Sequence, residues 1–182
     1  MARLPDLAPE KLSPAQRKVY DAIVAGPRGV VQGPLKVWLN SAELASRAQE
    51  LGAFCRYHTS LPKRLSELAI LITGAYWKAG FEWFVHAPAG MSAGLNPAVV
   101  EAIRVGQEPK FAKSDEAALY AFTCELLEKR RVSDVTYRRA VEELGELGAV
   151  ELVGILGYYA LISMTIIAFE IPVPDGEPEP FA

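Results

Sequence analysis

Apolar residues recur at helical spacing along almost the whole chain, and no stretch alternates polar and apolar residues long enough to propose a strand. The pattern predicts an all-α fold. Ser13-Pro14 reads as an N-cap followed by proline at the first helical position, opening a helix to about Ala25. Gly26 to Pro34 is turn sequence. Ser41 is expected to cap a helix with Leu44, Ala48, Leu51 and Cys55 at helical spacing. Leu61-Pro62 opens a long apolar helix. A break near Gly80 separates it from a second helix, which is interrupted or ends between Pro88 and Gly94. Asn96-Pro97 opens a short helix, and Gly106 to Lys113 is a polar loop. Ser114 and Ser133 are expected to cap two further helices, with Gly148 separating the second from an apolar C-terminal helix. The tail from Ile171 to Ala182 is proline-rich and acidic, which predicts an extended strap over the surface or over a neighbouring subunit.

The apolar run Leu152 to Phe169 is long enough to be weighed as a membrane span. No lysine or arginine lies close to either end, so the positive-inside anchor is missing. Its flanks are acidic instead: Glu142, Glu143, Glu146 and Glu151 before, Glu170 and Asp175 after. Gly154, Gly157, Tyr158, Tyr159, Ser163 and Thr165 suit close helix packing, so the run is expected to be the central helix of a soluble assembly, with no membrane partner. A helix apolar on all sides, together with the strap, also predicts a homo-oligomer. The run echoes the first apolar helix. Glu151-Leu152 aligns with Glu67-Leu68, placing Ser163 opposite Ala79, Ile166 opposite Glu82 and Glu170 opposite His86. The echo fits a degenerate duplicated helical hairpin or a chance match of two apolar runs.

Composition narrows the function classes. The chain has 182 residues, 51% of them hydrophobic and 23% charged, which excludes a disordered polymer and suits one domain over residues 1–182. A net charge of -3 gives no basic surface for nucleic acid. The two cysteines, Cys55 and Cys124, form no CxxC or disulfide framework. With two histidines, His58 and His86, no multi-histidine metal site is expected, and no nucleotide or flavin fingerprint points to a cofactor. The N-terminus lacks the apolar region of a secretory signal, so a cytoplasmic protein is expected.

Glu67, Glu82 and His86 form the densest polar group in apolar surroundings. Glu82 and His86 are four apart and share a helix face, and antiparallel packing around Gly80 would bring Glu67 towards them. Carboxylates beside an imidazole raise its pKa and fix its tautomer, which suits proton transfer next to a carbonyl. The same spacing also serves a purely structural ion pair. The nearby aromatics, including Tyr76 and Trp83, either fill the core or wall a substrate pocket.

The segment from Leu61 to Ile103 resembles the core of the carboxymuconolactone decarboxylase family, within the alkyl-hydroperoxidase-D-like superfamily. The matching residues are Leu61, Pro62, Arg64 and Glu67, then Glu82, Trp83 and His86, then Ala93, Gly94 and Leu95. This core, at about 61–105, spans about a quarter of the chain. The resemblance implies a helical fold assembling as trimers or hexamers. It places the two cysteines of the peroxidase branch at Ala79 and Glu82, so the thiols of a peroxidatic cycle are absent. It implies instead a cofactor-independent lyase acting on a small carbonyl or lactone acid, whose dienolate is stabilised and protonated on carbon. Glu67, Glu82 and His86 become the catalytic candidates. Arg64, Tyr76 and Trp83 become substrate-binding candidates, Arg64 being equally suited to an outward, solvated position. A thiol peroxidase and a non-catalytic oligomeric binding protein are the alternatives.

Overall fold

The structure, a computed structural model, describes residues 2–182. The Ser13 hydroxyl accepts a hydrogen bond from the Gln16 amide, and the Gln16 side chain accepts one from the Ser13 amide. This capping box starts α1 (Pro14–Ala25). Asn96 caps α6 (Pro97–Arg104) and Ser133 caps α8 (Asp134–Ala168), each by a side-chain oxygen accepting from the helix backbone. The remaining helices are α2 (Pro34–Trp38), α3 (Ala42–Tyr57), α4 (Lys63–Trp77), α5 (Gly80–Ser92) and α7 (Ser114–Lys129). A single turn of 3-10 helix over Pro9–Lys11 precedes α1. Among the described residues there is no strand.

Four local expectations need correcting. Ser41 sits at the cap position of α3 without a side-chain cap bond. Ser114 is the first helical residue of α7 rather than its cap, and its hydroxyl donates to Glu143 on α8. The interruption in α8 falls at Gly145, where φ is +74°, a conformation that costs a residue with a Cβ. Gly148 stays helical and buried, its Cα facing Leu61. The turn between α4 and α5 is made by Lys78 in the left-handed region, so Gly80 is the first residue of α5. Pro88 lies inside α5, which continues to Ser92. The stop then falls at Ala93, Gly94 and Leu95: Gly94 takes φ +100° and the Leu95 amide donates back to Gly90.

Helix α4 is the axis of the fold. Every residue from Leu65 to Gly74 is buried, because α5, α7 and α8 pack around it. One continuous apolar core runs from Val19 of α1 to Ile166 of α8. Helix α8 is long and apolar enough to cross a membrane by length and composition, yet half of its apolar window is buried inside the protein. It packs on α4, α7 and α3, as a core helix does.

The internal echo does not extend to a second hairpin. The first copy turns back at Lys78 and Ala79, whereas α8 runs helically through Ser163 to Ala168. Glu151, the counterpart of Glu67, accepts hydrogen bonds from the amide and hydroxyl of Ser60, both 2.6 Å. The C-terminal strap lies on its own chain. Arg104 donates to the Pro180 carbonyl at 2.6 Å, and the Phe181 ring meets Trp83 edge-on at 5.3 Å.

Candidate functional site

The α4–α5 hairpin brings together the three residues that sequence spacing singled out. Glu67 projects from α4, and Glu82 and His86 project from one face of α5. All three are buried, at 0%, 5% and 2% exposure, where an unpaired charge would cost several kcal/mol. The compensation is geometric. His86 Nδ1 lies 2.6 Å from Glu67 Oε2, and His86 Nε2 lies 2.9 Å from Glu82 Oε1. The imidazole is thus clamped between two carboxylates. Lys63 Nζ stands 2.6 Å from the other Glu67 oxygen, giving that carboxylate a second positive neighbour. The Tyr159 ring meets the imidazole edge-on at 5.2 Å.

The electrostatics follow from this packing. Burial pulls the His86 pKa down, but the Glu82 charge and the Glu67 contact outweigh it, so the net shift is upward. Burial pushes the Glu67 carboxyl up, and His86 and Lys63 together bring it below its ordinary value. The arrangement favours the protonated imidazole, held with both ring nitrogens against carboxyl groups, so that one proton lies within reach of two acceptors. Tyr159 is pushed well above the ordinary phenol range, first by burial and then by the Glu82 charge. It stays a neutral phenol.

Glu82 and His86 open onto a cavity of about 120 Å³. Its wall combines α5 and α8 with three parts of the chain outside the hairpin: the 26–33 loop, α2 and the end of α3. Arg28, Arg56, Tyr158 and Tyr159 line it, and none of them was visible as a candidate from spacing. Two adjacent tyrosines in an otherwise aliphatic run were the one signal in the sequence. Gly52 of α3 permits the approach, because a Cβ there would collide with the Tyr158 hydroxyl and the Arg28 guanidinium.

The three substrate-binding candidates lie elsewhere. Arg64 is neither solvated nor in the cavity. Its guanidinium pairs with Asp115 at 2.7 Å and with Glu116, tying α4 to α7. Trp83 turns to the strap and meets Phe181. Tyr76 is half exposed and lines a second, larger cavity of about 690 Å³. Each of these side chains meets a different neighbour, Arg64 the start of α7, Trp83 the strap and Tyr76 the larger cavity, so closeness in sequence to the polar set does not bring them to it. The larger cavity contains Tyr120 and Cys124. Burial pushes the Cys124 thiol up to about 11, and the Cys55 thiol likewise to about 11. Both are protonated thiols at neutral pH. Among the described residues no group of three His, Cys, Asp or Glu side chains is placed to hold a metal ion.

The chain matches no family model and no curated protein by sequence. Its fold matches solved structures closely. One is an uncharacterized peroxidase-related protein from Ralstonia eutropha JMP134 described as an alkylhydroperoxidase AhpD core, with TM-score 0.77 and 14% identity over 99% of this chain and 94% of that one. A second is an uncharacterized peroxidase-related protein from Silicibacter sp. TM1040, with TM-score 0.73 and 14% identity over 96% of this chain and 92% of the other. A third is a protein of unknown function from Agrobacterium tumefaciens, with TM-score 0.67 and 13% identity over 79% of this chain and 99% of that one. The fold is therefore the all-helical alkyl-hydroperoxidase-D-like fold.

Proposed function

We propose that the protein is a cofactor-independent lyase of the carboxymuconolactone decarboxylase type, moving a proton on a small carbonyl or lactone acid. The observation that carries this reading is His86 held between Glu67 and Glu82 at 2.6 and 2.9 Å, with Glu82 and His86 facing a cavity. Loss of carbon dioxide leaves an electron pair that delocalises into the neighbouring carbonyl as an enolate or dienolate. A buried imidazolium beside that oxygen stabilises the charge, and the Glu82–His86 pair returns a proton to carbon. Glu67 does not line the cavity and acts through His86 as a positioning residue. The cavity is small, about 120 Å³, which suits a small acid.

The thiol-peroxidase alternative is disfavoured because Ala79 and Glu82 stand where its cysteines would be, and burial keeps Cys55 and Cys124 protonated. The proposal includes a cytoplasmic location and a homo-oligomer. Exposed Leu147, Val150, Val153, Met164 and Ile167 on α8 support the second part. The test uses two assays on the purified protein: carbon dioxide release from 4-carboxymuconolactone, and deuterium exchange at the carbon next to the carbonyl of small oxo acids, such as the methyl carbon of pyruvate. Activity lost in His86→Ala supports the reading. A folded wild type inert in both assays favours a non-catalytic binding protein.

A further inference from the structure

The small cavity holds more positive charge than its own carboxylate answers. Arg28, from the 26–33 loop, and Arg56, from the last turn of α3, both line it. Among the described residues neither forms an ion pair, whereas Arg64, the cation nearest the motif in sequence, is fully paired with Asp115 and Glu116. The Nε atoms of both Arg28 and Arg56 are buried with no hydrogen-bond partner. Arg28 donates one weak bond, from Nη2 to the Tyr158 hydroxyl at 3.3 Å. Arg56 lies over the Tyr57 ring at 5.4 Å, which orients its plane without supplying an acceptor. Buried N–H groups are normally satisfied, so two unpartnered Nε–H groups on arginines that line one cavity call for an acceptor there. The fixed anion there, Glu82, is already held by His86. A ligand with one negative charge and two in-plane oxygens fits what remains. A phosphate dianion would add a second negative charge beside Glu82 in a space of about 120 Å³.

We propose that Arg28 and Arg56 form a carboxylate-binding subsite, which anchors the acid group of a small organic substrate and presents its carbonyl end to Glu82 and His86. The subsite deepens the proton-transfer reading and rests on it for the identity of the bound acid. It also assigns recognition to two segments outside the 61–105 motif, so relatives sharing the motif but not these arginines would take other substrates.

The test uses the full chain at neutral pH and three probes: propionate, its neutral isostere propionamide, and inorganic phosphate. Binding is read by calorimetry and by the ring signals of His86. Propionate is expected to saturate the site while propionamide and phosphate do not. Arg28→Gln and Arg56→Gln should each weaken propionate at least tenfold, with surface Arg139→Gln as the unchanged control. If one variant fails to fold, the other decides, and Arg56→Lys, which keeps charge but loses the fork, should fall between wild type and Arg56→Gln. Equal binding of propionate and propionamide, tighter binding of phosphate, no binding of propionate, or unchanged affinity in the arginine variants would overturn the proposal. Binding is read without turnover. Propionate bound by a protein inert on carbonyl acids would therefore remove the lyase reading and leave the subsite standing.

Discussion

The larger cavity encloses about 690 Å³ between α4, α6, α7 and the C-terminal strap, while the smaller encloses about 120 Å³ between α5, α8 and the N-terminal segments. Volume alone would choose the larger. Its titratable groups argue otherwise: burial raises both Cys124 and Tyr120, so each stays protonated and neither is poised to exchange a proton near neutrality. The nearby Arg104 is spent on Glu101 and on the Pro180 carbonyl. In the smaller cavity, burial is opposed by specific partners, and the imidazole ends up raised rather than lowered. Desolvation opposed by a charged partner creates a proton-transfer group, and desolvation without a countercharge creates an inert thiol or phenol.

The contrast breaks most directly at His86. His86→Ala should lower turnover about 10²- to 10⁴-fold, the usual worth of a positioned acid–base group. Cys124→Ala should leave turnover within about twofold. The reverse ordering in a steady-state assay would move the site to the larger cavity. Glu67→Gln comes next. It removes one member of a buried charged cluster, so chemical denaturation should show a loss of about 3 kcal/mol or more. His86 should then titrate at lower pH in an NMR titration.

The pH dependence of stability sharpens the same point. His86 is raised, so its contribution is complete below the ordinary imidazole value of 6.5 and is lost as pH rises through the raised value. Glu67 is lowered, so its contribution is present above the ordinary value of 4.5 and is lost as pH falls through the lowered value. The cluster should therefore support stability most between about 4.5 and 6.5. In His86→Gln the alkaline decline should flatten, and a wild-type-like decline in that variant would mean another group is responsible. The smallest effect is expected at the strap. Phe181→Ala removes one edge-on aromatic contact with Trp83 and should cost about 1 kcal/mol in thermal unfolding, with activity at His86 unchanged.

Local signals placed most helices. Ser13, Asn96 and Ser133 cap as their neighbours in sequence demand, because a cap bond reaches only two or three residues. The same rule misread Ser114, whose hydroxyl found Glu143 on another helix. It placed the break of α8 at Gly148 rather than at Gly145, because the packing of Gly148 on Leu61 is not visible in local sequence. Helix α2 went unseen because five residues carry too little periodicity. Of the site, Glu82 and His86 were legible from an i,i+4 spacing, and Glu67 from the antiparallel hairpin that spacing required.

What the sequence determined by itself was therefore the helical fold class and the polar set inside the α4–α5 hairpin. Those depend on spacing within one helix or across one turn. The tertiary structure decided which cations and aromatics meet that set. Arg64 lies three residues from Glu67 yet pairs with α7, while Arg28, Arg56 and Tyr158 arrive from distant segments. A helix turns about 100° per residue, so the partner of each side chain is set by which helix packs on that face, and only the assembled core fixes that.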